Sequence, residues 1–182
     1  EYAKARPNDV SFASLGMGST AHLYSEWFKA KTGAQFLHVP FKGSPELLQQ
    51  VIAGTVNVSA NTPAVVLPHV KAGKIKVLAV IADKGARSPL LPDVPTMAEQ
   101  GFDLEFRNWL ALYFQPGIGA EIPRRWNAEV NKLIADRAWV ERYVASQAVT
   151  ATGGTPDFLV SFLRRNRETA REMVKIANLR FD

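Results

Sequence analysis

Between residues 10 and 82 short apolar runs alternate with stretches of helical periodicity, a pattern that commits this part of the chain to βαβ units and a mainly parallel sheet. Val10 to Leu15 reads as the first strand. The loop Gly16-Met17-Gly18-Ser19-Thr20 then opens a helix whose Leu23, Tyr24, Trp27 and Phe28 form one apolar stripe, closed by Gly33 as a C-cap. Phe36 to Phe41 reads as the second strand. Ser44 follows as an expected N-cap with Pro45 at the first helical position, and Leu47, Leu48, Val51 and Ile52 supply a buried face. Val56 to Ala60 forms a short third strand, leading through Asn61-Thr62-Pro63 into a helix that carries Val65, Val66 and Val70 and stops at Gly73. Ile75 to Ile81 is a continuous apolar run suited to a central strand.

The pattern then changes. Residues 83 to 95 are rich in Pro, Asp, Lys and Gly and read as a loop, ended by the capping box Thr96-Met97-Ala98-Glu99. Phe106 to Phe114 has the composition of a further strand. From residue 117 onward the signal is helical: Pro123 to Ala135, Ala138 to Ala148, and a long helix opened by Thr155-Pro156. These helices have apolar faces and no sheet of their own, so their sheet is expected from a segment upstream of residue 1. Glu1 to Arg6 reads as the end of a helix with no initiator Met or signal peptide before it, which fits a chain that begins mid-protein.

Composition narrows the function classes. With 47% hydrophobic and 21% charged residues the chain can bury a core, which argues against a disordered tail, a collagen-like fibre or a coiled coil. No apolar run approaches the ~20 residues of a membrane span. The absence of cysteine excludes disulfides, thiolate metal sites and a cysteine nucleophile. The net charge of +5 is unevenly spread: residues 10 to 82 hold six lysines (29, 31, 42, 71, 74, 76) against Glu26 and Glu46 alone. This excess suits a small anion better than a duplex. The run Arg164, Arg165, Arg167 and Arg171 is interleaved with Glu168 and Glu172, as on a solvated helix face, so no nucleic-acid partner is expected.

Three strand-to-helix junctions recur, at Gly18-Ser19-Thr20, Gly43-Ser44-Pro45 and Asn61-Thr62-Pro63. In a parallel sheet all of them lie at the carboxyl edge, where helix N-termini turn free N–H groups and positive dipole ends toward one crevice. Any one junction alone reads as a simple cap. Together, in an acid-poor stretch, they point to an anion site. Gly16 to Ala21 also fits G-x-G-x-x-A, but a dinucleotide site needs an acid at the end of the second strand, and Val39-Pro40-Phe41-Lys42 has none. A P-loop and a G-x-S-x-G elbow are absent.

Little supports catalysis. His22, His38 and His69 lack ligand spacing for a metal, and no cofactor is implied. His22, in the first turn of its helix, would meet an anion if protonated, whereas His38 in a strand and His69 in a helix read as packed residues. Asp93 and Glu99 read as turn and cap. Trp27, Trp126 and Trp139 fall on helical apolar faces and are expected in the core, and Trp109 and Phe41 are the aromatics best placed to wall a pocket.

Taken in order, Gly-Ser-Thr-x-His-Leu at 18 to 23, His-Val-Pro-Phe-Lys-Gly at 38 to 43, Leu-Pro-His-Val-Lys-Ala-Gly-Lys at 67 to 74, Leu-Ala-Val at 78 to 80, Leu-Pro-Asp-Val-Pro-Thr at 91 to 96 and Gly-Gly-Thr-Pro at 153 to 156 resemble the substrate-binding proteins of tripartite tricarboxylate transporters, the Bug-type receptors. The resemblance implies an α/β fold of the type II periplasmic binding protein kind, with two lobes of mainly parallel sheet, the first incomplete in this chain. Residues 1 to 9 would end a lobe-one helix and enter the hinge, 10 to 107 form lobe two, 108 to 116 return as a hinge strand, and 117 to 182 complete lobe one. It further implies a periplasmic receptor, not an enzyme, that closes on a small carboxylate and presents it to a membrane permease without itself being membrane-inserted. The family's binding positions fall here on Gly18, Ser19, Thr20, His22, Phe41, Lys42, Gly43, Asn61 and Thr62. An α/β enzyme holding a nucleotide or phosphate ester at the same helix N-termini is the competing reading, and the effector domain of a DNA-binding regulator is a third.

Overall fold

A computed structural model describes residues 1–82, 86–104 and 109–179. The chain divides into two compact units, one formed by Glu1–Val77 with Glu168–Asp182 and the other by Leu78–Arg167.

The first unit is built on a three-stranded parallel sheet of order β2-β1-β3. After α1 (Tyr2–Ala5), β1 (Val10–Ser14) pairs with β2 (Phe36–Pro40) along its whole length, from Val10 opposite Phe36 to Ser14 opposite Pro40. On its other side it meets β3 (Val58–Ser59) at Phe12 and Ala13. Parallel neighbours need crossover helices, which are α2 (Thr20–Thr32) and α3 (Ser44–Ile52), with α4 (Pro63–Lys71) following β3. A strand flanked on both sides must present small or apolar residues, and Ala13 and Ser14 are wholly buried. Ala13 packs with Leu47 and Val56, and Val39, Phe41 and Val51 close around them.

Helix ends follow the expected chemistry with one shift. Ser19 caps α2 and Gly33 ends it in the left-handed region at φ 74°. In α3 the N-cap is Gly43 and not Ser44, which is already helical, and no side chain caps that end. With Pro45 at the second helical position the proline still occupies the first turn, where its missing N–H costs nothing.

The second unit departs further from expectation. Ile75 to Ile81 is not a central strand: Val80 makes a single parallel bridge with Thr96, and Leu78 is 62% exposed. The Val80 amide donates to the Pro95 carbonyl and the Met97 amide to the Val80 carbonyl. Pro92 and Pro95 lack amides, so the facing segment offers no continuous ladder. The capping box is formed, with Glu99 N–H donating to Thr96 Oγ1 at 3.1 Å and Thr96 N–H to Glu99 Oε2 at 2.6 Å. Arg87 and that backbone bond together hold the Glu99 carboxyl below the usual carboxylate range, the backbone bond contributing most.

Of the expected strand Phe106 to Phe114, residues 106 to 108 lie outside the described residues, and Trp109 to Phe114 pairs with no strand among the described residues. Three helices follow, α5 (Glu121–Ala135), α6 (Arg137–Tyr143) and α7 (Pro156–Ile176). Trp126 lies outside the core, 54% exposed, because its partner is the half-exposed Phe114 ring at 6.3 Å. The Gly-Gly-Thr-Pro turn is latched to α5: Asn127 and Asn131 Nδ2 both donate to the Gly154 carbonyl, and Gly154 N–H donates to Asn131 Oδ1. A Cβ at Gly153 would collide with the same Asn131 oxygen, so a larger residue there would push the latch aside.

The sheet core gives a direct test. Leu47 is 2% exposed and Leu37 is 53% exposed. Leu47→Ala should lower unfolding stability by roughly 2 to 5 kcal/mol, whereas Leu37→Ala should change it by less than about 0.5 kcal/mol, as read from urea midpoints at constant m.

Candidate functional site at the carboxyl edge of the sheet

Because all three strands run parallel, the loops that leave them lie side by side along one edge. The central loop, from β1 to α2, is flanked by the β2–α3 loop and the β3–α4 loop. This places Gly18, Ser19 and Thr20 in the middle, Phe41, Lys42 and Gly43 on one side, and Asn61 and Thr62 on the other. The Phe41 N–H donates to the Ser14 carbonyl at 2.8 Å, which ties the first flank to the centre.

The side chains at this edge differ in availability. Phe41 turns toward the core rather than standing free as a pocket wall. Trp109, the other candidate wall, lies in the second unit, where its indole N–H donates to Asn166 Oδ1 at 2.9 Å and its ring meets Phe162 edge-on. Lys42 is exposed and has no ion pair among the described residues. Asn61 Nδ2 donates to Ser59 Oγ at 2.7 Å, which fixes the amide and leaves its oxygen without a donor among the described residues. Thr62 is the N-cap of α4, yet its hydroxyl makes no capping bond.

Backbone donors can be followed one by one. In α2 the His22 N–H is capped by Ser19 Oγ and the Leu23 N–H by the Ser19 carbonyl, so the Thr20 and Ala21 amides are those left without a partner among the described residues. In α3 the first intrahelical bond is from Leu47 to Gly43, which leaves Ser44 and Glu46, since Pro45 has no amide. In α4, Val65 bonds back to Thr62, which leaves Ala64. Only one carboxylate stands in the first turns of these three helices, that of Glu46.

The central loop is also shaped from below. Gly16 and Gly18 have φ of 103° and 75°, backbone that a side chain would strain. Their amides turn inward: Gly16 N–H donates to Ser14 Oγ at 3.0 Å and Gly18 N–H donates to His22 Nδ1 at 3.1 Å. Ser19 Oγ donates to the Gly16 carbonyl at 2.7 Å. The His22 ring stacks on His38 at 4.2 Å, and His38 Nε2 shares a 2.6 Å hydrogen bond with Ser14 Oγ. His22 is therefore a buried residue under the loop and not an exposed cation beside it, and burial lowers its pKa.

Sequence reasoning did not single out Ser14 or place His38 in this group. The register could have found both, because Phe12 faces His38 across the sheet and Ser14 lies two residues on, so Ser14 and His38 share one face. Among the described residues there is no cluster of three or more His, Cys, Asp or Glu suited to a metal ion.

An acid-poor edge that carries free amides, hydroxyls and one unpaired lysine suits an anion. Residues 1–177 match the family described as tripartite tricarboxylate transporter family receptor. The chain belongs to that family. It is 34% identical over 161 residues to protein BugT of Bordetella pertussis, covering 88% of this chain and 48% of that protein. It is 30% identical over 176 residues to a UPF0065 protein encoded in the tcbD-tcbE intergenic region of a Pseudomonas species, covering 94% of this chain and 51% of the relative. The chain thus spans about half the length of these curated relatives. Its backbone resembles that of Rpa4515 of R. palustris solved with adipate, at a TM-score of 0.87 and 27% identity, covering 97% of this chain and 58% of that one. The α/β fold with its parallel sheet is that of the family's periplasmic binding proteins.

The caps at this edge differ in what they hold. Ser19→Ala, which loses the α2 cap and the bond to Gly16, should cost about 1 kcal/mol, while Thr62→Ala should cost less than about 0.5 kcal/mol; chemical denaturation of the two variants decides it.

Proposed function

We propose that this protein is an extracytoplasmic solute receptor that binds a small carboxylate and hands it to the membrane permease of a tripartite tricarboxylate-type transporter. The observation that carries this reading is the convergence of three helix N-termini with unpaired amides on one edge of a parallel sheet, next to a free Lys42. Each helix end favours a nearby anion by about 0.3 to 1 kcal/mol, and the lysine adds a charge-assisted hydrogen bond. Adipate in the related R. palustris protein supports a carboxylate of this size.

In this reading Gly18, Ser19 and Thr20, Lys42 and Gly43, and Asn61 and Thr62 form the ligand-facing edge. Asn61 in place of an acid spares the ligand a repulsive charge. Binding shifts the population of an opening and closing equilibrium, and the permease reads the result, so no bond in the ligand is made or broken. Periplasmic residence follows from the transporter role. Among the described residues no helix is long and apolar enough to cross a membrane. A hydrolase-type enzyme would need a hydroxyl paired with an accessible base at this edge. The Ser–His pair seen here among the described residues places its hydroxyl on Ser14, which is completely buried and already bonded to Gly16.

A thermal-shift titration with mono-, di- and tricarboxylates, and with a nucleoside monophosphate, separates the readings. A dicarboxylate should raise the apparent Tm in a dose-dependent way, with stabilisation near 2.7 kcal/mol at about 100 times Kd, and Lys42→Ala should weaken that response. Stabilisation by the nucleotide alone would sink the receptor reading.

A further inference from the structure

The β1–α2 loop carries the central part of the site, yet its two glycine amides are not offered to a ligand. Both are held from beneath by side chains, Gly16 by Ser14 and Gly18 by His22. We propose that Ser14, His38 and His22 form a neutral support that sets the conformation of this loop, and that protonation of His22 releases it, which makes the site sensitive to mild acid.

The geometry fixes the protonation state. His22 Nδ1 accepts from the Gly18 N–H, so that nitrogen carries no proton and the ring proton sits on Nε2. Nε2 faces Glu26 Oε1 at 3.7 Å. A second proton could be placed only on Nδ1, where it would point at the Gly18 N–H, donor against donor. The bond must then break, and the ring must turn or the loop must lift. His38 lies flat against His22, so a charge on one ring opposes a charge on the other. Ser14 Oγ completes the support by accepting from Gly16 N–H while bonding His38.

The charged groups facing the pair are few. On α2 they are Glu26 and Lys29; β1 contributes only the Ser14 hydroxyl, and β2 contributes His38 itself. Glu26 favours a protonated His22, but Lys29 holds that same carboxylate oxygen at 2.7 Å and takes up much of its pull. Burial is the larger influence and lowers both imidazoles from their ordinary value of 6.5, His38 being lowered further by His22. A folded-state pKa below the unfolded one means that the unfolded chain binds more protons in this range. The support is therefore fully formed above about pH 6.5 and is lost as pH falls through the depressed folded value.

This inference concerns the loop of the proposed carboxylate site and rests on that reading for its consequence alone; its test needs no ligand. Nitrogen-15 NMR of the imidazole rings should show His22 as the Nε2–H tautomer at about pH 7.5, with both rings titrating below the ordinary histidine value. Hydrogen exchange of the Gly18 amide, corrected for the intrinsic rate, should lose protection about tenfold per pH unit below the His22 pKa, while the β1 amides keep theirs. His22→Gln, which retains an acceptor but not the charge, should abolish the pH dependence of the Gly18 amide. An Nδ1–H tautomer, Gly18 protection that does not change with pH, or loss of protection in β1 together with Gly18 would each overturn the proposal. Measurements on the unmodified chain decide the matter even if the variant does not fold. A carboxylate that fails to bind would refute the receptor function and leave this result intact.

Discussion

The position of β1 between two parallel partners is the constraint on which the first unit depends. At Phe12 and Ala13 β1 meets a strand on each edge, and α2 and α3 pack against it, so its side chains there must be small or apolar, and both are buried. Parallel pairing forbids hairpins. Each return to the sheet therefore needs a helix, and each helix starts at the same edge. The gathering of three helix N-termini is thus not a separate feature of the site but the geometric result of how β1 is paired. Leu47 of α3 and Val56 close the packing on Ala13, so the same core that stabilises the sheet also aims the β2–α3 loop.

At that edge the chemistry is set by subtraction as much as by addition. A helix leaves its first amides unbonded, and here Ser19 recovers one of them while the two prolines remove others. What remains is a sparse set of amides at Thr20, Ala21, Ser44, Glu46 and Ala64. Weak donors spread over three loops suit an extended anion better than a compact one. Lys42 supplies the one full positive charge on these three loops, and it makes no ion pair among the described residues, which keeps that charge available.

The parts of this arrangement that were legible from sequence are those set by neighbours close in the chain. Gly33 ending α2 and the Thr96–Glu99 box both depend on residues within a turn of one another, and each formed as read. The βαβ order was legible for the same reason, since hydrophobic period and turn chemistry agreed. Ile75 to Ile81 failed because strand identity belongs to a pair: an apolar run becomes a central strand only if two neighbours offer ladders, and Pro92 and Pro95 deny one. Trp126 failed similarly. A helical apolar stripe says that a face is apolar and leaves open whether anything covers it.

The histidine pair shows why a site can be half visible. His22 was read from its place in the first turn as a residue near an anion, and that place is correct, yet its role depends on which way the ring points. The ring turns inward because a loop with two glycines in the left-handed region cannot satisfy its own amides, and an unbonded amide in a half-buried loop would cost roughly 1 to 3 kcal/mol. An imidazole at the third position of α2 is long enough to reach back to Gly18, and the sheet register sets His38 beneath it as a flat surface. A longer amide side chain would supply the acceptor but not the stack. The choice of histidine therefore brings titration into the foundation of the loop, because the same nitrogen that satisfies the backbone at neutral pH becomes a competing donor when it gains a proton.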